Sequence, residues 1–341
     1  MNILVTGGGG FLGQALCRGL LERGHRVASF SRSRHAALDA MGVRQLQGDL
    51  ADRDAVLAAF AGGFDAVLHN AAKAGAWGSH ASYFSANVTG TRNVIAACRA
   101  HGVRKLIYTS TPSVVHGGDS VAGVDESAPY PTHFEAHYPA TKALAEQEVL
   151  AANGESLATV AIRPHLVWGP GDSSMMPRVV GKARQGKVRL IGPPQPVDTL
   201  YIDNAVDAHL AAYDRLELGA PPAGRAYFVT QGEPISGQQF LNDLLTANSL
   251  APVDKTVSVG VARAAATVIE GLWTLLRIRA EPPITRFVVS QLSTAHWYDI
   301  SAARRDLGYS PKISYAEGMQ RLREWISTDQ RLRASAPSSE R

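Results

Sequence analysis

Short apolar runs alternate with longer stretches in which apolar residues recur every three or four positions, and the alternation holds through the first half of the chain. Residues 2–5, 26–30, 43–47, 65–69, 105–109 and 158–162 are runs of four or five residues with strand character. Between them, Phe11, Leu12, Ala15, Leu16, Leu20 and Leu21 recur at helical spacing. A second helix follows Asp52 as its cap, a long one covers 83–101, and another begins near Tyr138. Strands separated by amphipathic helices at this spacing predict an α/β fold, a doubly wound parallel sheet covered on both faces.

From about residue 163 the regularity breaks. Arg163-Pro164 and Gly169-Pro170-Gly171-Asp172 mark loops, and later elements are short and irregularly spaced. The expected organisation is a nucleotide-binding domain over 1–165 and a smaller C-terminal lobe over 166–326, facing substrate and returning one or two strands to the main sheet. A polar, frayed tail is expected over 327–341. Residues 257–276 form an apolar helical stretch interrupted by Arg263 and Glu270. Two charges near the middle make a membrane span costly. The stretch is expected to wall or cover an apolar pocket together with Trp273, Ile278, Phe287 and Val288, with ordinary core packing and membrane-surface contact as the alternatives.

The run Thr6-Gly7-Gly8-Gly9-Gly10-Phe11-Leu12-Gly13 joins the first strand to the first helix. Glycines at 7, 10 and 13 are where a side chain would block a tight turn, the approach of a pyrophosphate, or packing of helix on sheet. Free N–H groups and the dipole at the helix start favour phosphate. Strand, glycine turn and helix together predict a Rossmann-type dinucleotide site, with Gly7, Gly10, Phe11, Leu12 and Gly13 at the cofactor.

Composition narrows the classes. The chain has 341 residues, 45% hydrophobic and 19% charged, with a net charge of +4, which describes an ordinary globule with a substantial core. Its basic residues are scattered rather than clustered in a stripe, which argues against nucleic acid. The two cysteines, Cys17 and Cys98, lie on apolar faces of predicted helices, as small buried side chains of a reducing compartment do. No metal site is expected. The first residues already form the first strand, so no leader and no transmembrane segment are expected, and the expected location is the cytoplasm.

Tyr138-Pro139-Ala140-Thr141-Lys142 sets a tyrosine and a lysine four apart, on one face of a helix. An ordinary tyrosine holds its proton up to about pH 10, so exchanging it near neutrality costs about 4 kcal/mol. A lysine cation about 4 Å away in a partly dry site supplies about that much. The pair is a candidate acid–base unit.

Further runs occur in a recognisable order: His69-Asn70-Ala71-Ala72, Tyr108-Thr109-Ser110-Thr111, Arg163-Pro164 with Trp168-Gly169-Pro170-Gly171, Tyr201-Ile202-Asp203-Asn204-Ala205, and Leu307-Gly308-Tyr309-Ser310-Pro311. With the glycine run and Tyr138 to Lys142, the chain resembles the extended short-chain dehydrogenase/reductases over residues 1 to about 326, and within them the 3β-hydroxysteroid dehydrogenase branch. Lys73-Ala74-Gly75-Ala76-Trp77-Gly78, Ser110 to His116 and Thr294-Ala295-His296-Trp297-Tyr298 resemble bacterial members that reduce long-chain β-keto acids in olefin biosynthesis. The resemblance implies a third catalytic residue, a hydroxyl at the end of the fifth strand. It aligns with Thr111, with Ser110 and Ser113 as neighbours; the plainer role for Thr111 is a turn hydroxyl bonding its own backbone. Thr111 would hold the substrate carbonyl oxygen, Tyr138 would give it a proton, and Lys142 would hold the nicotinamide ribose and depress the tyrosine pKa. Asn87 matches a family asparagine of architectural character. Asp49 and Leu50 would meet adenine, and Ala71, Ala72, Lys73 and Pro164 would also touch the cofactor.

NAD-preferring relatives carry an acid at the end of the second strand. Here Ser31 stands there, followed by Arg32 and Arg34. A 2′-phosphate would meet no carboxylate and would accept charge-assisted bonds of about 1.5–3 kcal/mol each, so the expected cofactor is NADPH/NADP+. The implied reaction is reduction of a 2-alkyl-3-oxoalkanoate to the 2-alkyl-3-hydroxyalkanoate, with Lys73, Arg163 and His165 as candidates for the carboxylate. A 3β-hydroxysteroid or sterol dehydrogenase is the alternative. A nucleotide-sugar epimerase or dehydratase fits less well, because Pro112-Ser113 follow Thr111 where sugar dehydratases carry an acidic pair. A non-catalytic NADPH sensor would not need Thr111, Tyr138 and Lys142 intact. The expected partners are an apolar long-chain substrate, a second copy in a homodimer, and other enzymes of olefin biosynthesis.

Overall fold

In the computed structural model, which describes residues 1–335, seven parallel strands form the central sheet. They are β1 (Asn2–Thr6), β2 (Arg26–Ser31), β3 (Arg44–Gln47), β4 (Ala66–His69), β5 (Lys105–Thr109), β6 (Ala158–Pro164) and β7 (Arg225–Val229). Their spatial order is β7-β6-β5-β4-β1-β2-β3, with neighbours parallel throughout. The order reverses between β1 and β4, so the crevice beyond their carboxyl ends is the ligand position for this class of sheet.

Period-two alternation within the strands feeds two cores. Ile3, Val5 and Ile107 face one layer, built with Leu16 and Leu20 of α1 (Phe11–Glu22). Leu4, Leu106 and Tyr108 face the other, built on α2 (Arg53–Phe60), α3 (Gly90–Ala100) and α4 (His137–Ala151) through Val56, Val94 and Val149. Asp52 caps α2 by accepting from the amides of Asp54 and Ala55, as its sequence position predicts. Cys17 and Cys98 are buried free thiols in these layers, and burial pushes Cys17 up to about 12. The long helix expected over 83–101 begins earlier, at His80 after the Ser79 cap, and widens into one π turn over Ser85–Thr89 before α3.

The excursion after β6 holds α5 (Met175–Arg184) and then α6 (Ile202–Arg215), which lies against α1. A Cβ on Gly19 would meet Val206 at 2.7 Å, so glycine sets that approach. With β7, α6 belongs to the first domain although its sequence lies beyond 165. The second lobe holds α7 (Gly237–Ala247), α8 (Val259–Leu275), α9 (Arg286–Ser293) and a four-stranded sheet of two- to four-residue strands. The tail expected from 327 is instead the end of α10 (Tyr315–Ser335), anchored by buried Met319, Leu322 and Ile326. Residues 336–341 lie outside the described part.

A buried ion pair ties α4 to β6: Arg163 donates to Glu146 at 2.6 Å, and the Tyr130 hydroxyl donates to the same carboxylate at 2.6 Å. Removing one partner strands the other charge, so Glu146→Ala should lose about 3–5 kcal/mol in urea denaturation. A loss below 1 kcal/mol would show that the pair does not hold these elements together.

Candidate active site

The glycine turn closes on the loop after β4. Gly7 has φ +69°, and a Cβ there would meet the Ala71 Cα at 2.8 Å. A Cβ on Gly13 would meet the Gly7 carbonyl oxygen at 2.1 Å. Gly10 differs, because its Cβ would touch nothing closer than 3.5 Å. Packing leaves that position bare beside the start of α1, which no side chain caps, and this fits a pyrophosphate. Phe11 and Leu12 open α1 there.

Three bonds fix the floor. Thr6 Oγ1 meets His69 Nδ1 at 2.7 Å, His69 Nε2 meets Thr91 Oγ1 at 2.9 Å, and the Ala71 amide donates to Thr6 Oγ1 at 3.1 Å. Burial, reinforced by Lys142, lowers His69 to about 3, so it is neutral and structural. Asn87 accepts from the Lys73 amide at 2.7 Å, donates to the Lys73 carbonyl at 3.0 Å, and donates to Thr141 Oγ1 at 3.0 Å. It brackets the Ala71-Ala72-Lys73 loop to α4, an architectural task.

At the end of β2, Ser31 Oγ donates to the Ser33 carbonyl, and no carboxylate replaces it. Arg34 is held by Asp39 at 2.7 Å, whereas Arg32 is exposed and has no ion pair among the described residues. Asp49 is exposed, and the Leu50 carbonyl accepts from Asn93 at 2.8 Å.

Thr111 is 8% exposed and opens a 3₁₀ turn over Pro112–Val115. Its Oγ1 accepts from the Ser113 amide at 3.3 Å and lies 3.3 Å from Ser113 Oγ, with the Tyr138 phenol nearby. Ser110 is buried with an unpartnered hydroxyl. Burial raises the Tyr138 pKa, the Thr111 hydroxyl opposes that, and nearby Tyr83 adds to the rise. Lys142 is fully buried; its Nζ donates to the Thr109 carbonyl at 2.6 Å and lies 4.0 Å from the Tyr108 ring centre. Burial lowers it to about 7 against the pull of Glu146. The Lys142 ammonium is thus hydrogen-bonded to the strand end rather than to the Tyr138 phenol.

Of the carboxylate candidates, Arg163 is committed to Glu146. Burial lowers His165 to about 4, so it is uncharged at neutrality. Lys73 Nζ donates to Ser82 Oγ at 2.7 Å and lies 4.8 Å from the Tyr83 ring centre, at the edge of the site.

Beyond Pro164, a cavity of about 170 Å³ opens in the second lobe, walled by Leu166, Met175, Val179, Ile191, Phe240 and Leu292 among others. Leu166 has φ +43°, a left-handed conformation unusual for leucine, at this wall. The sequence could not show the cavity, because five separated segments contribute to it.

A family model described as the 3-beta hydroxysteroid dehydrogenase/isomerase family matches residues 4–257. The chain belongs to that family. It is therefore an oxidoreductase of CH–OH or keto groups with a nicotinamide cofactor. A relative from Stenotrophomonas maltophilia named 2-alkyl-3-oxoalkanoate reductase is 57% identical over 95% of this chain and 98% of its own length. One of the same name from Shewanella oneidensis is 46% identical over 94% and 85%. A 3-beta-hydroxysteroid dehydrogenase from Mycolicibacterium neoaurum is 34% identical over 93% and 88%. Among solved structures, that of gox2253 has a TM-score of 0.77 at 25% identity, covering 96% of this chain and 98% of that one. Among the described residues no helix is long and apolar enough to cross a membrane.

The Lys142 value sets a pH dependence. Between about 7 and the ordinary 10.5 the unfolded chain holds a proton on this lysine that the folded chain does not. Stability therefore rises with pH across that window, by at most about 1.4 kcal/mol per pH unit, and below about 7 the penalty is constant. Urea midpoints measured from pH 7 to 10 should show this slope in the wild type and lose it in Lys142→Met. An equal slope in both would exclude Lys142 as its source.

Proposed function

We propose that this protein uses NADPH to reduce the ketone of a 2-alkyl-3-oxoalkanoate, a long-chain β-keto acid, to the 2-alkyl-3-hydroxyalkanoate in olefin biosynthesis. The observation that carries the substrate is the apolar cavity that begins at His165, the residue after Pro164, and is walled by Leu166, Met175, Phe240 and Leu292. The names of the two relatives at 57% and 46% identity support the same reading. For NADPH over NADH, the support is Ser31 in place of an acid and Arg32, which has no ion pair among the described residues; Arg34 would add to it only by leaving Asp39.

Gly7, Gly10, Phe11, Leu12 and Gly13 would hold the pyrophosphate, Ser31, Arg32 and Arg34 the adenosine 2′-phosphate, and Asp49 and Leu50 the adenine. Ala71, Ala72, Lys73, Tyr138, Lys142 and Pro164 would line the nicotinamide half. The bound cofactor supplies a hydride. Thr111 donates a hydrogen bond to the carbonyl oxygen where negative charge gathers, and Tyr138 delivers its proton to that oxygen. Lys142 would hold the ribose hydroxyls of the nicotinamide half, leaving the Thr109 carbonyl that it bonds here. From there it lowers the cost of tyrosinate. Lys73 is the cation left for the substrate carboxylate.

The division at residue 165, with 166–326 mainly for substrate, serves this reading as a functional boundary. A cytoplasmic homodimer completes it, joined by the helices that carry Asn87 and Tyr138, where Leu144 is exposed. The product would pass to a decarboxylating or lactone-forming enzyme of the same pathway.

Oxidation of a 2-alkyl-3-hydroxy acid with NADP+, run beside a 3β-hydroxysteroid, tests the substrate, because the 34% identical steroid dehydrogenase marks the rival. Faster turnover of the steroid would overturn the proposal. Tyr138→Phe should lose about a hundredfold or more in kcat while still binding NADPH by fluorescence. Thr111→Ser should stay active and Thr111→Val should lose about a hundredfold. Arg32→Ala should raise the NADPH KM about tenfold or more and leave NADH use unchanged, with a smaller effect from Arg34→Ala. Equal effects on both cofactors would refute the phosphate contact.

A further inference from the structure

Helix α8 is built inside out. Its buried residues are Ala262 and Ala266, which meet Ile191 and Val289. Val261, Val268, Leu272, Leu275 and the following Leu276 point outward, 46% to 77% exposed. With exposed Ala265, Val261 to Leu275 follow one another at spacings of three and four, and Leu276 lies four beyond Leu272, so they form a single stripe. Five of the ten large hydrophobic side chains exposed among the described residues lie in this stretch. A helix serving only as cover would turn its leucines and valines inward and its alanines out.

The charges around the stripe are sorted. Glu135, Glu270 and Glu281 are each paired, with Arg263, Arg286 and Arg178. Arg277, Arg279 and Lys182 are exposed and have no carboxylate partner among the described residues. Lys182 donates to the Pro283 carbonyl, which places it at the same end of the stripe as the two arginines. Arg277 also sits at φ +52°, where the Ile278 amide closes the helix onto the Trp273 carbonyl at 2.9 Å. That position favours glycine or asparagine, yet it carries a cation.

Helix α8 and the turn after it border the site. Arg263 reaches Glu135, three residues before Tyr138, and Trp77, on the Lys73 loop, donates to the Ile278 carbonyl at 3.2 Å. From α9, Gln291 meets His116 Nδ1 at 3.1 Å, and both Gln291 and Leu292 wall the cavity.

We propose that the outer face of α8 docks on an anionic lipid surface, the helix lying in the interface plane with Arg277, Arg279 and Lys182 among the headgroups. An apolar face edged by cations is the pattern of interfacial helices. Docked this way, α8 sets its neighbour α9, which contributes Gln291 and Leu292 to the cavity wall, beside the phase in which a long-chain acid dissolves. The use made of the surface rests on the function proposed above; the docking itself does not.

The test is flotation of the full-length protein with vesicles of equal parts phosphatidylglycerol and phosphatidylcholine, against phosphatidylcholine alone. Wild type should float with the anionic vesicles and less in high salt. Val268→Gln with Leu272→Gln should lower the partition about tenfold or more, and Arg277→Gln with Arg279→Gln should remove the preference for phosphatidylglycerol. Both variants should melt like the wild type, because these side chains are exposed. A wild type that stays in the aqueous fraction, or a stripe variant that floats equally well, overturns the proposal. So does a dimer in solution that Val268→Gln with Leu272→Gln dissociates, since the stripe would then belong to a second copy. No turnover enters this measurement. Protein that floats but does not act on the keto acid overturns only the proposed substrate, and protein that acts on it without floating overturns only the docking surface.

Discussion

The bond from Lys142 to the Thr109 carbonyl sets the terms for the whole site. It fixes the start of α4 against the carboxyl end of β5, and so fixes Tyr138 one helical turn away beside Thr111. A buried ammonium is costly. The fold bears that cost with one short hydrogen bond, the face of Tyr108 and the more distant Glu146. Burial works against the charged form of this lysine, and Glu146 works for it.

Around that point the supports are neutral and rigid. His69 is held between Thr6 and Thr91, and Asn87 holds both faces of the Lys73 peptide. Neither carries charge, so neither competes for the phosphates of a dinucleotide. The one strong buried ion pair nearby, Arg163 with Glu146, turns a cation suited to a substrate carboxylate into a brace between α4 and β6.

The first domain was largely legible because its strands are buried on both faces and appear as apolar runs cut by glycine and acidic residues. The π turn at Ser85–Thr89 leaves no such mark, since widening one turn changes neither composition nor period enough to register. In the second lobe, two-residue strands such as Pro196–Val197 are shorter than any repeat that could be recognised. The end of α10 was missed because the run Ser327 to Arg331 carries no apolar residue, so the helical period breaks after Ile326. Thr111, Tyr138 and Lys142 could be named from spacing and resemblance. The claim of Asp39 on Arg34 and the engagement of Lys142 with a backbone carbonyl are matters of rotamer, which sequence does not encode. Leu166 is a further case: its left-handed backbone lies where the sequence shows only an apolar residue after a histidine.

The return of β7 to the edge of the main sheet has its own consequence. The segment between β6 and β7 leaves the sheet and rejoins it at the adjacent register position, Val160 beside Arg225. Both of its ends are hydrogen-bonded to the scaffold, so it behaves as an insert rather than an appendage. Its loops and α5 can change length or chemistry without disturbing the strand order that carries the dinucleotide turn. Exchanging this insert would reshape one side of the cavity, through Leu166, Met175 and Val179, while α7 and α9, which follow β7, keep the other side.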